Sequence, residues 1–239
     1  MSPVCRVGLS AGQSGLESRP DHPDIAFVMN HFLFVLSARF LKPLLLVLVA
    51  LGLLSACQEQ KLTPLAADDV ILAFGDSLTE GKGVSALESY PAVLQQLSGV
   101  RVVNAGISGE TSAQGLRRLP AVLDEVQPRL LLLLHGGNDI LQNLPQQQAS
   151  DNLAAMIQLA RARGIEVVLI GVPEKNLFSD VAPIYPALAE RFDLVFERSL
   201  ISDLLRSPGK KSDSVHFNQR GYRDIAESLS AVLKQAGAL

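Results

Sequence analysis

The sequence predicts an α/β protein: a three-layer α/β/α sandwich on a mostly parallel five-stranded sheet. Apolar runs of strand length alternate with stretches of helical spacing, which is the pattern of βαβ crossovers. One run, Leu130–Leu134, is five leucines with no polar alternation, as a central strand buried on both faces requires. No internal repeat or low-complexity tract breaks the alternation between residues 70 and 239.

Taken in order, the strand-like runs are Val70–Phe74, Val100–Asn104, Arg129–Leu134 and Ile165–Ile170, with a fifth around Asp193–Phe196. Helical spacing fills the intervals at Tyr90–Leu97, Ser112–Glu125, Gln146–Arg163, Ala182–Arg191 and Gln219–Gln235. In sheets of this kind ligands bind beyond the carboxyl ends of the strands, at the point where strand order reverses. Chemistry is therefore expected immediately after the apolar runs.

The chain has 239 residues, is 48% hydrophobic and 19% charged, and carries a net charge of −3. That suffices for one good core. No basic run marks a nucleic-acid binder, and with 5% aromatics and no tryptophan a base-stacking platform is disfavoured. No nucleic-acid partner is expected, and the domain reads as a monomer.

Residues 1–28 are rich in Gly, Ser, Pro and Asp and lack periodicity. Met29 then opens a segment in which Arg39 and Lys42 precede the apolar run Leu44–Leu54, followed by the small residues Ser55 and Ala56. A basic flank, a short apolar core and a small-residue exit describe an export signal, and the run is shorter than the roughly 20 apolar residues of a membrane span. The ending "LSAC" resembles the lipobox of bacterial lipoproteins. That resemblance makes Cys57 the lipidated first residue of the mature protein, held to a membrane by acyl chains. Cys5 falls in the discarded part, so no disulfide is expected, and translation is expected to start at Met29. The organisation expected is residues 1–56 as extension and signal peptide, 57–69 as lipidated cysteine and tether, and 70–239 as the folded domain. Gln58 after the cysteine leans toward the outer membrane of a bacterial envelope.

Four polar clusters follow the apolar runs or precede the last helix: "GDSLTEG" (75–81), "NAGISGETSAQG" (104–115), "HGGNDIL" (135–141) and "KSDSVHFNQRG" (211–221). Each alone has a plain structural alternative as a turn or helix cap. Together they fall where one site would be. A serine nucleophile needs a base, an orienter for that base and donors aimed at a developing oxyanion. Of the four histidines, His22 and His31 lie in the segment expected to be removed. His216 follows Asp213 by three residues, a spacing that brings a carboxylate back to the ring, and it is favoured as base over His135. His135 has Asp139 four residues on, but glycines and an asparagine intervene; its ring either reaches the cleft or packs on the strand end.

These blocks, "GDSLTEG", "NAGISGET", "GGND" and "DSVH", resemble those of the GDSL or SGNH hydrolase superfamily, over residues 70 to about 235. The stretch "NAGISGETSAQGLRRLPAVLDEVQP" is similar to the branch of acyl-CoA thioesterase I, lysophospholipase and bacterial arylesterase. The resemblance implies the SGNH hydrolase version of the sandwich, which is flavodoxin-like. It implies Ser77 as nucleophile, His216 as general base and Asp213 as its orienter. The oxyanion hole would be the main-chain N–H groups of Ser77 and Gly109 and the side-chain amide of Asn138, with Asp76 supporting the turn. No metal or organic cofactor is implied. The loops 140–147 and 171–185 would border an acyl pocket, with Leu141, Leu144, Leu177 and Phe178 as lining candidates or as ordinary core residues.

The function expected is a lipid-anchored serine esterase acting on carboxylic esters or thioesters through an acyl-enzyme. Two rivals are a carbohydrate O-acetylesterase of the cell envelope and a non-catalytic envelope-binding lipoprotein on the same scaffold.

Overall fold

A computed structural model describes residues 62–175 and 180–239. The export signal, Cys57, Leu177 and Phe178 lie outside the described residues. Among the described residues five strands form one sheet in the order β2-β1-β3-β4-β5: β1 (Val70–Gly75), β2 (Arg101–Gly106), β3 (Leu130–Leu134), β4 (Glu166–Ile170) and β5 (Val195–Glu197). Every pairing is parallel.

The crossovers run through α2 (Tyr90–Ser98), α3 (Ser112–Val126), α5 (Gln146–Arg161) and α6 (Ile184–Phe192), and α8 (Gln219–Gln235) closes the domain. α2 packs on α8, whereas α3 packs on α5 and α5 on α6. The first crossover moves one way along the sheet and the next three move the other way. Right-handed crossovers therefore put α2 on one face and α3, α5 and α6 on the opposite one. Covered on both sides, β3 is 0–1% exposed along its whole length. Each such leucine contributes roughly 1.5–3 kcal/mol by burial, which is why alternation is absent here.

The strand order reverses between β1 and β3. There Gly75 pairs in register with Gly106 on one side and Leu134 on the other, so three loops leave the carboxyl edge together. The opposite edge holds the first described residues. Leu62 N–H donates to Ala236 O at 2.7 Å, Leu65 N–H to Ala238 O at 2.9 Å, and the Thr63 hydroxyl to Glu166 at the start of β4 at 3.0 Å.

Three short helices were not legible as periodic segments: α1 (Ser77–Glu80), α4 (Gly137–Leu141) and α7 (Leu200–Leu205). Each spans at most six residues, too few for a 3.6-residue repeat to show. Consequently "GGND" is the opening of a helix rather than an open loop, with Gly136 before it in the left-handed region at φ 100°. No helix of the described residues is long and apolar enough to cross a membrane.

Candidate active site

β1 ends at Gly75 and the chain turns at once into α1, with Asp76 as N-cap and Ser77 as first helical residue. Asp76 Oδ1 accepts the Leu78 N–H at 3.1 Å, so its expected support of the turn takes the form of a cap. Asp76 is buried, and burial pushes its carboxyl above the ordinary range, with the nearby His135 opposing. The Ser77 N–H has no acceptor among the described residues and remains available at the helix start.

The structure brings Ser77, His216 and Asp213 together. His216 Nε2 lies 3.0 Å from Ser77 Oγ, and His216 Nδ1 lies 2.7 Å from Asp213 Oδ2. Asp213 Oδ1 accepts the main-chain N–H groups of Val215 at 2.9 Å and His216 at 2.8 Å. The Val215 N–H, with the His216 ring next, holds the Asp213 carboxyl down at about 2 despite partial desolvation. An ionised Asp213 can only accept, so Nδ1 carries the proton and Nε2 presents a lone pair to the serine hydroxyl.

The loop that carries His216 is held on both sides. Ser212 N–H donates to His216 O at 3.0 Å, and the Asn218 side chain donates to Gly209 O and Lys211 O while capping α8. Phe217 is buried edge-on against Tyr222, whose hydroxyl donates to Lys82 O at 2.9 Å, just beyond α1.

Gly109 has φ +80°, a conformation that glycine adopts without strain, and open space where a side chain would be. Its N–H also has no acceptor among the described residues. The Asn138 amide donates to Glu110 O at 3.0 Å and reaches Asp76 Oδ2 only at 3.5 Å, which leaves its second hydrogen weakly held. Asn138 thus touches the residue before Ser77 and the residue after Gly109.

Behind these groups lies a polar cluster in which sequence reasoning singled out only His135. Arg118 grips Glu110 with two N–H groups, at 2.8 and 2.6 Å, donates to Ala105 O at 2.9 Å and lies over the Phe74 ring at 4.1 Å. Burial pushes the Glu110 carboxyl up, but the Arg118 and His135 hydrogen bonds and the Arg118 charge outweigh it and hold it at about 2. His135 is fully buried. The Gly136 N–H donates to His135 Nδ1 at 2.9 Å, so Nε2 carries the proton given to Glu110 at 3.1 Å. Its ring packs against Gly115 so closely that a Cβ there would overlap it. Of the two readings of His135, packing on the strand end is the one observed.

Asp139 does not serve His135. It accepts the Ser112 N–H and hydroxyl, each at 2.7 Å, and so caps α3. Leu141 and Leu144 are 41% and 36% exposed and so are not core residues; Leu141 ends α4, the helix that carries Asn138, and Leu144 follows it. Among the described residues no group of three or more His, Cys, Asp or Glu side chains is arranged to hold a metal ion.

This arrangement can move a proton from a hydroxyl to an imidazole while three N–H donors stand nearby. Known proteins resemble this chain over most of the folded domain. Residues 73–223 match the model of the GDSL-like lipase/acylhydrolase family. The chain is 36% identical over 177 residues to thioesterase 1/protease 1/lysophospholipase L1 of Escherichia coli K12, covering 71% of this chain and 85% of that protein. It is 44% identical over 126 residues to esterase TesA of Pseudomonas aeruginosa, covering 50% of this chain and 63% of that one. A crystal structure of TesA superposes with a TM-score of 0.65 at 31% identity, covering 70% of this chain and 99% of that structure. Fold and sequence therefore agree that the chain belongs to the GDSL-like lipase/acylhydrolase family, whose members are ester hydrolases.

Proposed function

We propose that the protein hydrolyses carboxylic esters and thioesters through an acyl-enzyme on Ser77. The observation that carries this reading is the unbroken relay from Ser77 Oγ through His216, at 3.0 Å, to Asp213, at 2.7 Å. Ser77 Oγ attacks the acyl carbon as its proton passes to His216 Nε2, and the carbonyl electrons collect on oxygen. The N–H groups of Ser77 and Gly109 and the Asn138 amide receive that oxyanion; each such donor is worth about 3 kcal/mol. The oxyanion collapses, and the alcohol or thiol leaves with the proton from His216. A water then gives its proton to His216 and attacks the acyl carbon. The acid departs and Ser77 recovers its proton.

The E. coli relative is named for thioesterase and lysophospholipase activities, and exposed Ile107, Leu141 and Leu144, on the segments that carry Gly109 and Asn138, suit an acyl chain. The deciding experiment is kcat/KM on nitrophenyl esters from acetyl to palmitoyl, with Ser77→Ala alongside. Serine-dependent rates that rise through medium chains are expected. Activity confined to acetyl would move the assignment to a carbohydrate O-acetylesterase. No serine-dependent turnover on any chain would leave a binding role.

The same reading keeps Cys57 as a lipid attachment site, on the strength of the "LSAC" sequence. Cys57→Ser is expected to release the protein from the membrane fraction, and retention there would make the preceding segment an uncleaved anchor.

A further inference from the structure

The two main-chain donors proposed for the oxyanion, on Ser77 and Gly109, belong to different chain segments, and one side chain ties those segments together. Glu80 ends α1, three residues after Ser77. Its Oε2 accepts the main-chain N–H of Ser108 at 2.9 Å and also the Ser108 hydroxyl. Its carbonyl accepts Asn104 Nδ2 at 3.3 Å. Gly106 lies so close to the Thr79–Glu80 peptide that a Cβ would overlap it, so α1 rests directly on the end of β2.

Gly109 needs such a restraint. Nothing lies within 4 Å of the place a side chain would occupy, and glycine accepts both signs of φ, so local packing does not fix the Ser108–Gly109 peptide. On one side that peptide is set by the Glu110 N–H donating to Ile107 O at 3.2 Å. On the other it is set by Glu80, which holds the Ser108 N–H and hydroxyl at once. The hydrolytic steps make no use of the Glu80 carboxylate. It is exposed, so its hydrogen bonds add little to global stability. A donor displaced by a fraction of an ångström nevertheless loses much of its hold on a transition-state oxygen.

We propose that Glu80 is a positioning residue: by holding Ser108 it aims the Gly109 N–H at the acyl oxygen. The proposal rests on the Ser77-centred reading above.

The test compares Glu80→Ala, Glu80→Gln and Ser77→Ala in the purified protein. Readouts are nitrophenyl ester kinetics, melting temperature and inhibition by two probes. One is an alkyl trifluoromethyl ketone, which Ser77 Oγ converts to a tetrahedral oxyanion; the other is an alkyl alcohol of equal chain length, which cannot form it. Glu80→Ala is expected to lower kcat about tenfold or more and to weaken the ketone by a similar factor. KM, alcohol inhibition and melting temperature should stay near the parent values. Glu80→Gln, whose amide oxygen still accepts the Ser108 N–H, should recover most of the rate. An unchanged kcat in Glu80→Ala, or a loss shared equally by ketone, alcohol and melting temperature, would overturn the proposal. Full turnover in Ser77→Ala would instead remove the reading beneath it.

Discussion

Asp213 holds His216 twice, with Oδ2 at 2.7 Å from the ring Nδ1 and Oδ1 at 2.8 Å from the main-chain nitrogen of the same residue. One carboxylate therefore fixes both where the histidine backbone lies and which way its ring turns. In Asp213→Asn the amide oxygen can keep the main-chain bonds, but an NH₂ group then faces Nδ1. That favours a proton on Nε2, the tautomer that cannot accept from Ser77. Steady-state kinetics should show kcat lower by about 10³–10⁴-fold with KM little changed. A loss below tenfold would mean that another group orients the ring.

Glu110 makes stability depend on pH. Its folded carboxyl is held at about 2, below the ordinary 4.5. Between those values the unfolded chain binds more protons, so stability rises with pH through that window. The contribution is full above 4.5 and is lost as pH falls toward 2. Urea midpoints measured down to pH 3 should fall less steeply for Glu110→Gln than for the parent, although that variant starts lower at neutral pH. Parallel slopes would assign the acid sensitivity elsewhere.

The two histidines of the domain should separate in mutagenesis. His216→Ala is expected to abolish most turnover, by several orders of magnitude in kcat, with a near-normal melting temperature. His135→Ala removes a fully buried ring and strips Glu110 of one donor, a loss of about 2–4 kcal/mol of stability. Its kcat, measured below the melting transition, should stay within about tenfold of the parent. The reverse pattern would exchange the two assignments.

The sheet and its flanking helices were legible because β3 is apolar throughout and the crossover helices are long enough to display their period. The placing of Ser77 and Asn138 was legible for a related reason, since parallel strands deliver their following loops to one edge, whereas His216 comes from the loop between α7 and α8 and was legible only from its spacing to Asp213. The Glu110–Arg118–His135 cluster was not. Glu110 and Arg118 sit eight residues apart across a helix cap, outside any spacing that sequence rules pair, and only tertiary packing brings His135 between them and Gly115. Glu80 was hidden likewise, since its partner Ser108 is 28 residues away. Leu141 and Leu144 could be read as core or rim from sequence, because exposure depends on what a neighbouring loop covers.

Thr63 and Leu65 meet Glu166 and Ala238 at the edge where the strands begin, so both extremities of the described domain emerge at one pole. Ser77 and His216 lie at the other, separated by a strand length of about 17 Å. An affinity tag, a bead or a carrier joined at either extremity would leave the approach to Ser77 unshadowed. Bulky amphiphiles, micelles included, could then approach Ser77 while the protein stays fixed to a support.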